Sequence, residues 1–156
     1  MLKIKLPFLF SLIILTQTFW GFTPQNSEAL CIKNKRANLR KGPGTKYEKL
    51  AECDFCNYRP FKQLGVQGAW KRIQNVDGEI YWVYGPLTTQ DYKCAVVKNN
   101  KTNLRTGPGT NFPQVHWSPV PKFFSMKVLK IEKNWVQTED IDGDKAWIYR
   151  PLVWIQ

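Results

Sequence analysis

Asn38-Leu39-Arg40-Lys41-Gly42-Pro43-Gly44-Thr45 returns 65 positions later as Asn103-Leu104-Arg105-Thr106-Gly107-Pro108-Gly109-Thr110. The same shift carries Trp70 onto Trp135, Asp77-Gly78 onto Asp142-Gly143, and Trp82 onto Trp147. It also carries Tyr84-x-Pro86-Leu87 onto Tyr149-x-Pro151-Leu152. Residues 38–87 align on residues 103–152 without a gap, and 16 of those 50 positions are identical. A match that dense marks a duplication, and the repeat is therefore the unit in which the chain is read.

Each repeat reads as all-β. Short runs such as Trp70-Lys71-Arg72-Ile73 and Trp135-Val136-Gln137-Thr138 mix aromatic and β-branched residues with polar ones. Asp77-Gly78 and Asp142-Gly143 lie between such runs and signal hairpins, because glycine readily supplies a positive φ. In Gly-Pro-Gly the proline fixes φ while the flanking glycines permit a tight turn. No dozen-residue window beyond the N-terminal segment keeps a helical apolar period. Strands of about five residues packed into roughly 60 residues predict a small closed barrel, which also removes exposed sheet edges.

The first segment reads as a leader rather than as fold. Met1 to Lys5 carries two lysines, Leu6 to Leu15 is almost continuously apolar, and Ser27-Glu28-Ala29 offers small residues at a peptidase site. The interrupted apolar run is marginal for a membrane span. The expected organisation is a cleaved signal peptide over residues 1–29, one barrel over 30–90 and a second over 91–156. No transmembrane segment is expected after cleavage, and the address is periplasmic or extracellular. Leu30 stands before Cys31 where lipidation would want a small residue.

The chain carries a formal net charge of +11, and removal of the leader leaves it near +10. That excess favours anionic partners, and export turns the expectation toward cell-wall polymer or lipid head groups and away from nucleic acid. The four cysteines, Cys31, Cys53, Cys56 and Cys94, all lie beyond the leader, so two disulfides are expected in an oxidising compartment. Cys31 and Cys94 each sit just ahead of a repeat, which favours their pairing and leaves Cys53 to Cys56. Pairing of Cys31 with Cys53 or Cys56 remains open.

The Asn-Leu-Arg-x-Gly-Pro-Gly-Thr motif, the following Trp, the Asp-Gly and the Trp-hydrophobic-Tyr-x-x-Leu ending together resemble the bacterial SH3-like domain family. The resemblance covers residues 30–156 as two copies. It departs from the family where Tyr81 and Ala146, rather than glycine, precede the tryptophans. It implies small extracytoplasmic barrels, often attached to cell-wall hydrolases as targeting modules, and says nothing decisive about the ligand. The chain ends four residues after the last repeat position, leaving no room for a catalytic domain, so a binding module without enzyme activity or cofactor is expected. The partner is expected to be a cell-wall polymer or, alternatively, a peptide of an envelope protein.

The candidate chemistry is sparse. His116 is the single histidine, and its repeat counterpart is Ala51, so no triad or dyad is shared between copies. Cys53-Asp54-Phe55-Cys56 has oxidoreductase spacing, but a loop or strand is predicted there and not the helix N-terminus that would lower a thiol pKa. A zinc site would need a second close pair of ligands. Trp70, Trp82, Trp135 and Trp147 are expected to fill the cores, because they recur and bury large areas. The aromatics that differ in setting between copies, Tyr47, Tyr58, Trp117, Phe123 and Phe124, are candidates for stacking on a ligand or for the contact between barrels. Arg40 and Arg105, beside the Gly-Pro-Gly turns, are candidates either for an anionic ligand or for locking the turn.

Overall fold

A computed structural model describes residues 28–156. The leader assigned to residues 1–29 thus lies outside the described residues except for Glu28 and Ala29. Twelve strands run in order: β1 Ala29–Ile32, β2 Arg36–Arg40, β3 Lys49–Asp54, β4 Pro60–Gln67, β5 Trp70–Gln74, β6 Ile80–Tyr84, β7 Thr88–Thr89, β8 Cys94–Val97, β9 Ser125–Glu132, β10 Trp135–Glu139, β11 Lys145–Tyr149 and β12 Val153–Ile155. A single 3-10 turn, Gly85–Leu87 or Arg150–Leu152, precedes β7 and β12. Among the described residues there is no α-helix, and no helix long and apolar enough to cross a membrane.

The strands form two sheets, one from each repeat. The first has seven strands in the order β3-β2-β6-β5-β4-β1-β7, the second five in the order β11-β10-β9-β8-β12. Shifting β1, β4, β5 and β6 by 65 residues lands on β8, β9, β10 and β11. The duplication therefore extends to the ladders. Even the irregularities repeat: Leu64 is skipped between β4 and β5, and Leu129 at the same place between β9 and β10.

The closed barrels expected from sequence are not found. The two ends of the first sheet, β3 and β7, do not pair with each other. β7 holds two residues before the chain leaves for the joint, so it offers too little ladder to close on. In the second repeat the counterparts of β2 and β3 survive only as bridges, Thr102 with Val120 and Arg105 with Gln114 and Trp147. Pro113, Pro119 and Pro121 flank or interrupt that stretch, and proline has no N–H to give a ladder.

Each repeat has its own core. Leu30, Ile32, Leu39, Phe61, Ile73 and Val83 pack in the first, and Val97, Leu104, Met126, Val136, Ile148 and Val153 in the second. Strand alternation explains the selection. Along β2, Ala37 and Leu39 point inward while Asn38 and Arg40 point out, and β10 buries Val136 and Thr138 while Trp135 and Gln137 face out.

The Asp-Gly hairpins are five-residue loops built around one side chain. Asn75 Oδ1 accepts the N–H groups of Asp77 (3.0 Å) and Glu79 (2.9 Å), and Asp140 Oδ1 accepts those of Asp142 and Asp144 (both 2.9 Å). Gly78 and Gly143 take φ values of 87° and 88°, the conformation for which glycine was expected.

The sheets are fastened together in three ways. Cys31 and Cys94 join β1 to its counterpart β8 by a disulfide, and Cys53 is bonded to Cys56. Arg59 Nη2 donates to the Phe123 carbonyl at 3.2 Å, with the guanidinium 5.7 Å from the Phe123 ring. Lys122 Nζ meets Asp77 at 2.9 Å and stands 4.7 Å from the same ring. Burial of this junction lowers the Arg59 pKa. The joint after β7 is held locally too: Thr89 Oγ1 donates to Asp91 at 2.7 Å.

Candidate functional site

The Gly-Pro-Gly loops carry one wall of the candidate site. Gly44 N donates to Gly42 O at 3.0 Å around Pro43, and Gly109 N to Gly107 O at 3.0 Å around Pro108. These are three-residue turns whose central φ a proline supplies. The glycines are needed for space rather than for positive φ. A Cβ on Gly42 would run into the Tyr47 ring and one on Gly107 into the Phe112 ring, whereas a Cβ on Gly44 would sit 3.4 Å from Tyr47. Gly42→Ala and Gly107→Ala should each cost about 1–2 kcal/mol in urea melts. Gly44→Ala in the same loop should stay within about 0.5 kcal/mol of wild type.

Arg40 closes the loop from the strand side. Its Nη1 donates to the carbonyls of Thr45 (3.1 Å) and Tyr47 (2.8 Å), and Arg105 Nη1 likewise donates to Phe112 O at 2.6 Å. Both arginines are partly exposed, and among the described residues Nε and Nη2 of each have no protein acceptor. The backbone beneath is fixed by pairing of Arg40 with Trp82 and of Arg105 with Trp147.

Opposite this wall stands an aromatic pair. Trp70 and Tyr84 are partners across β5 and β6, with ring centroids 5.6 Å apart at 56°. Trp135 and Tyr149 repeat the arrangement at 5.7 Å and 57°. Between loop and pair lies a groove in each copy. Asn38, Arg40, Gly44, Thr45, Trp70, Tyr84 and Leu87 line the first, about 540 Å³ in volume. The second is about 680 Å³, and its lining includes the seven counterparts Asn103, Arg105, Gly109, Thr110, Trp135, Tyr149 and Leu152. Asn99, Asn100, Lys101, Thr102 and Asn111 enlarge it.

The two grooves thus share every one of those seven residues, although only 16 of 50 aligned positions are identical. Both volumes fall within the usual range for ligand sites. The lining holds one or two cations and no carboxylate in either copy.

The residues singled out from sequence divide into three groups. Arg40 and Arg105 line the grooves, with Tyr47 behind the first loop, its ring against Gly42. Tyr58 and Phe123 are repeat counterparts that share a positive φ, 64° and 69°, and stand where the copies meet. Tyr58 packs edge-on to Tyr92 at 5.6 Å, and Phe123 receives Arg59 and Lys122. Trp117 and Phe124 lie 5.8 Å apart and pack on the second core.

The expectation that all four repeated tryptophans fill the cores needs correction. Trp147 is buried, but Trp82 is only half-buried, and Trp70 and Trp135 stand half-exposed in the grooves because they alternate with the inward Ile73 and Val136. Trp70, Trp135, Tyr84 and Tyr149 are the groove-lining aromatics that sequence reasoning did not place at the candidate site.

The remaining polar groups do not assemble into a second site. His116 is exposed, and among the described residues there is no cluster of three His, Cys, Asp or Glu side chains able to hold a metal. Near the junction Tyr81 Oη donates to Glu79 at 2.8 Å, and burial followed by that bond pushes its phenol up to about 12. Burial, then Tyr58 and Asp91, also raises Tyr92.

Residues 98–154, the second copy, match the family model of the bacterial SH3 domain. Across 130 residues the chain is 26% identical to the putative N-acetylmuramoyl-L-alanine amidase YrvJ of Bacillus subtilis, a match covering 77% of this chain and 24% of that protein. The chain thus spans about a quarter of the length of this curated relative. Two solved structures, NlpC1 and NlpC2 from Trichomonas vaginalis, align over 85% and 83% of the chain and 47% and 48% of their own, each at 12% identity and a TM-score of 0.36.

Proposed function

We propose that the chain is an exported, non-catalytic binding module of two SH3-like copies that engages cell-wall peptidoglycan or its peptide stems. The observation that carries this reading is the pair of grooves whose seven shared residues are identical while most of the repeat has diverged. A core needs apolar volume and tolerates exchange, as Phe61 against Met126 and Ile73 against Thr138 illustrate. An exposed Asn, Arg, Thr, Trp and Tyr held together twice are better accounted for by a common ligand.

Several further observations support the reading. The second copy matches the bacterial SH3 domain, and the curated relative carries the name of an N-acetylmuramoyl-L-alanine amidase. The net charge of +11 suits an anionic polymer, and disulfides between all four cysteines suit an oxidising envelope. In this reading the first copy is a second member of the same family, supported by its repeat alignment and its shared groove.

The test is co-sedimentation of the purified, oxidised protein with purified sacculi over a salt series. Retention should persist at moderate salt, where purely electrostatic attraction between exposed charges is screened. Retention lost at modest salt would leave general charge attraction. No retention, with crosslinking to one dominant envelope protein, would put a protein partner in place of the wall.

A further inference from the structure

We propose that both grooves recognise the same extended ligand through a carboxylate. The anion is held side-on by Nε and Nη2 of Arg40 or Arg105, and the adjoining chain lies against the Trp70–Tyr84 or Trp135–Tyr149 pair. The inference deepens the wall-binding reading by naming the ligand's chemistry, and it rests on that reading only for the ligand's source.

Three observations carry it. The first is the state of the arginine fork. In both copies one terminal nitrogen is tied to the loop carbonyls, which fixes the guanidinium plane, while the other edge has no protein acceptor among the described residues. A fixed planar edge with two parallel N–H groups matches a carboxylate in two-point contact.

The second is charge. No Asp or Glu lines either groove, so nothing in the site competes for the fork. Neither arginine is paired with an acidic side chain among the described residues: the repeated acids Asp77 and Asp142 line neither groove, and Asp77 is engaged by Lys122. The third is the flanking chemistry. Asn38 and Thr45, with Asn103 and Thr110, offer donors and acceptors beside a tilted aromatic pair. That suits a peptide-like segment of alternating amides better than a bare ion.

Equal chemistry in both copies implies two binding events per chain. The second groove should be the tighter, since Lys101 adds a second cation and its volume is larger.

The deciding experiment titrates the oxidised protein with the soluble tetrapeptide Ala–D-Glu–Lys–D-Ala, followed by tryptophan fluorescence and calorimetry. A parallel titration uses the same peptide with both carboxyl groups amidated. The free acid should bind with a stoichiometry of two, and amidation should weaken binding roughly tenfold or more, the effect of losing a charge-assisted contact. Equal affinity of the two peptides, no binding of either, or a stoichiometry of one would overturn the proposal.

The double variant Arg40→Lys with Arg105→Lys keeps the charge and removes the planar fork, and it should reproduce the amidation effect. The peptide comparison itself requires no variant to fold. Sacculus retention separates this inference from the reading beneath it. Retention together with indifference to amidation would remove the carboxylate and keep the wall. Carboxylate-dependent peptide binding without retention would keep the groove chemistry and remove the wall.

Discussion

Replacing Trp70 and Trp135 together by alanine should abolish salt-resistant retention on sacculi, while either replacement alone should weaken it on the order of a hundredfold. Each tryptophan forms one side of a groove with its cross-strand tyrosine, 5.6 Å and 5.7 Å away. Aromatic anchors of this kind dominate binding energy when they are truncated. The large single-site effect follows from two linked sites. With both grooves able to engage one polymer, the second event is intramolecular, and avidity exceeds single-site affinity by roughly 10²–10⁴. Removing either groove discards that gain. Because both side chains are half-exposed on the outer face of their strands, the variants should keep the wild-type far-ultraviolet spectrum and cooperative melt. Retention unchanged in the double variant would remove the grooves from the binding surface.

The second large effect concerns the disulfides, and it separates two bonds that a count of cysteines treats alike. Cys31 and Cys94 are 63 residues apart in sequence, Cys53 and Cys56 only 3. Loop-closure entropy grows with the logarithm of the loop, so the long link constrains the unfolded chain by about 4 kcal/mol and the short one by about 2 kcal/mol. Cys31→Ala with Cys94→Ala should therefore shift the urea midpoint about twice as far as Cys53→Ala with Cys56→Ala. It should also split the unfolding into two transitions, because the copies have separate cores and the disulfide is their covalent fastening. A single coincident transition would mean that Arg59, Lys122 and Phe123 suffice to couple the copies.

Much of the fold was legible in the residues, and the reason is physical. Trp-Lys-Arg-Ile and Trp-Val-Gln-Thr carry the aromatic and β-branched residues that suit strands, and Asp-Gly and Gly-Pro-Gly can occupy few turn geometries. The alternation of faces along a strand would have located the grooves. Ile73 and Val136 are inward, so Trp70 and Trp135, an odd number of positions away, must face out. Weighing tryptophan by its area alone hid that signal.

Barrel closure was not legible because it depends on hydrogen bonds at the ends of the sheets, where two residues more or less decide the outcome. Nor could repeat identity alone separate a locking role for Arg40 and Arg105 from a binding one. The geometry shows one nitrogen of each fork engaged by the loop and the other edge unpaired. Trp117 and Phe124 read as candidates for a ligand or for the contact between barrels because they differ between the copies, where Glu52 and Arg59 are their counterparts. The second copy has Ser118 and Pro121 where the first has its short disulfide, and there the two aromatic rings pack on the core.

The prolines that reduce the second copy's ladder to isolated bridges also bear on how a duplicated chain avoids tangling with itself. Copies with the same strand order can exchange strands during folding, a hazard common to repeat proteins. The strand β3 joins β2 through residues 49–54, and its counterpart spans residues 114–119. With Pro119 in that segment and Pro121 just past it, it lacks the amide at the position that pairs with Arg36, so it makes a poor substitute for β3. The divergence at this edge leaves the second half unable to supply a good substitute for β3, so that exchange is disfavoured while the chain folds.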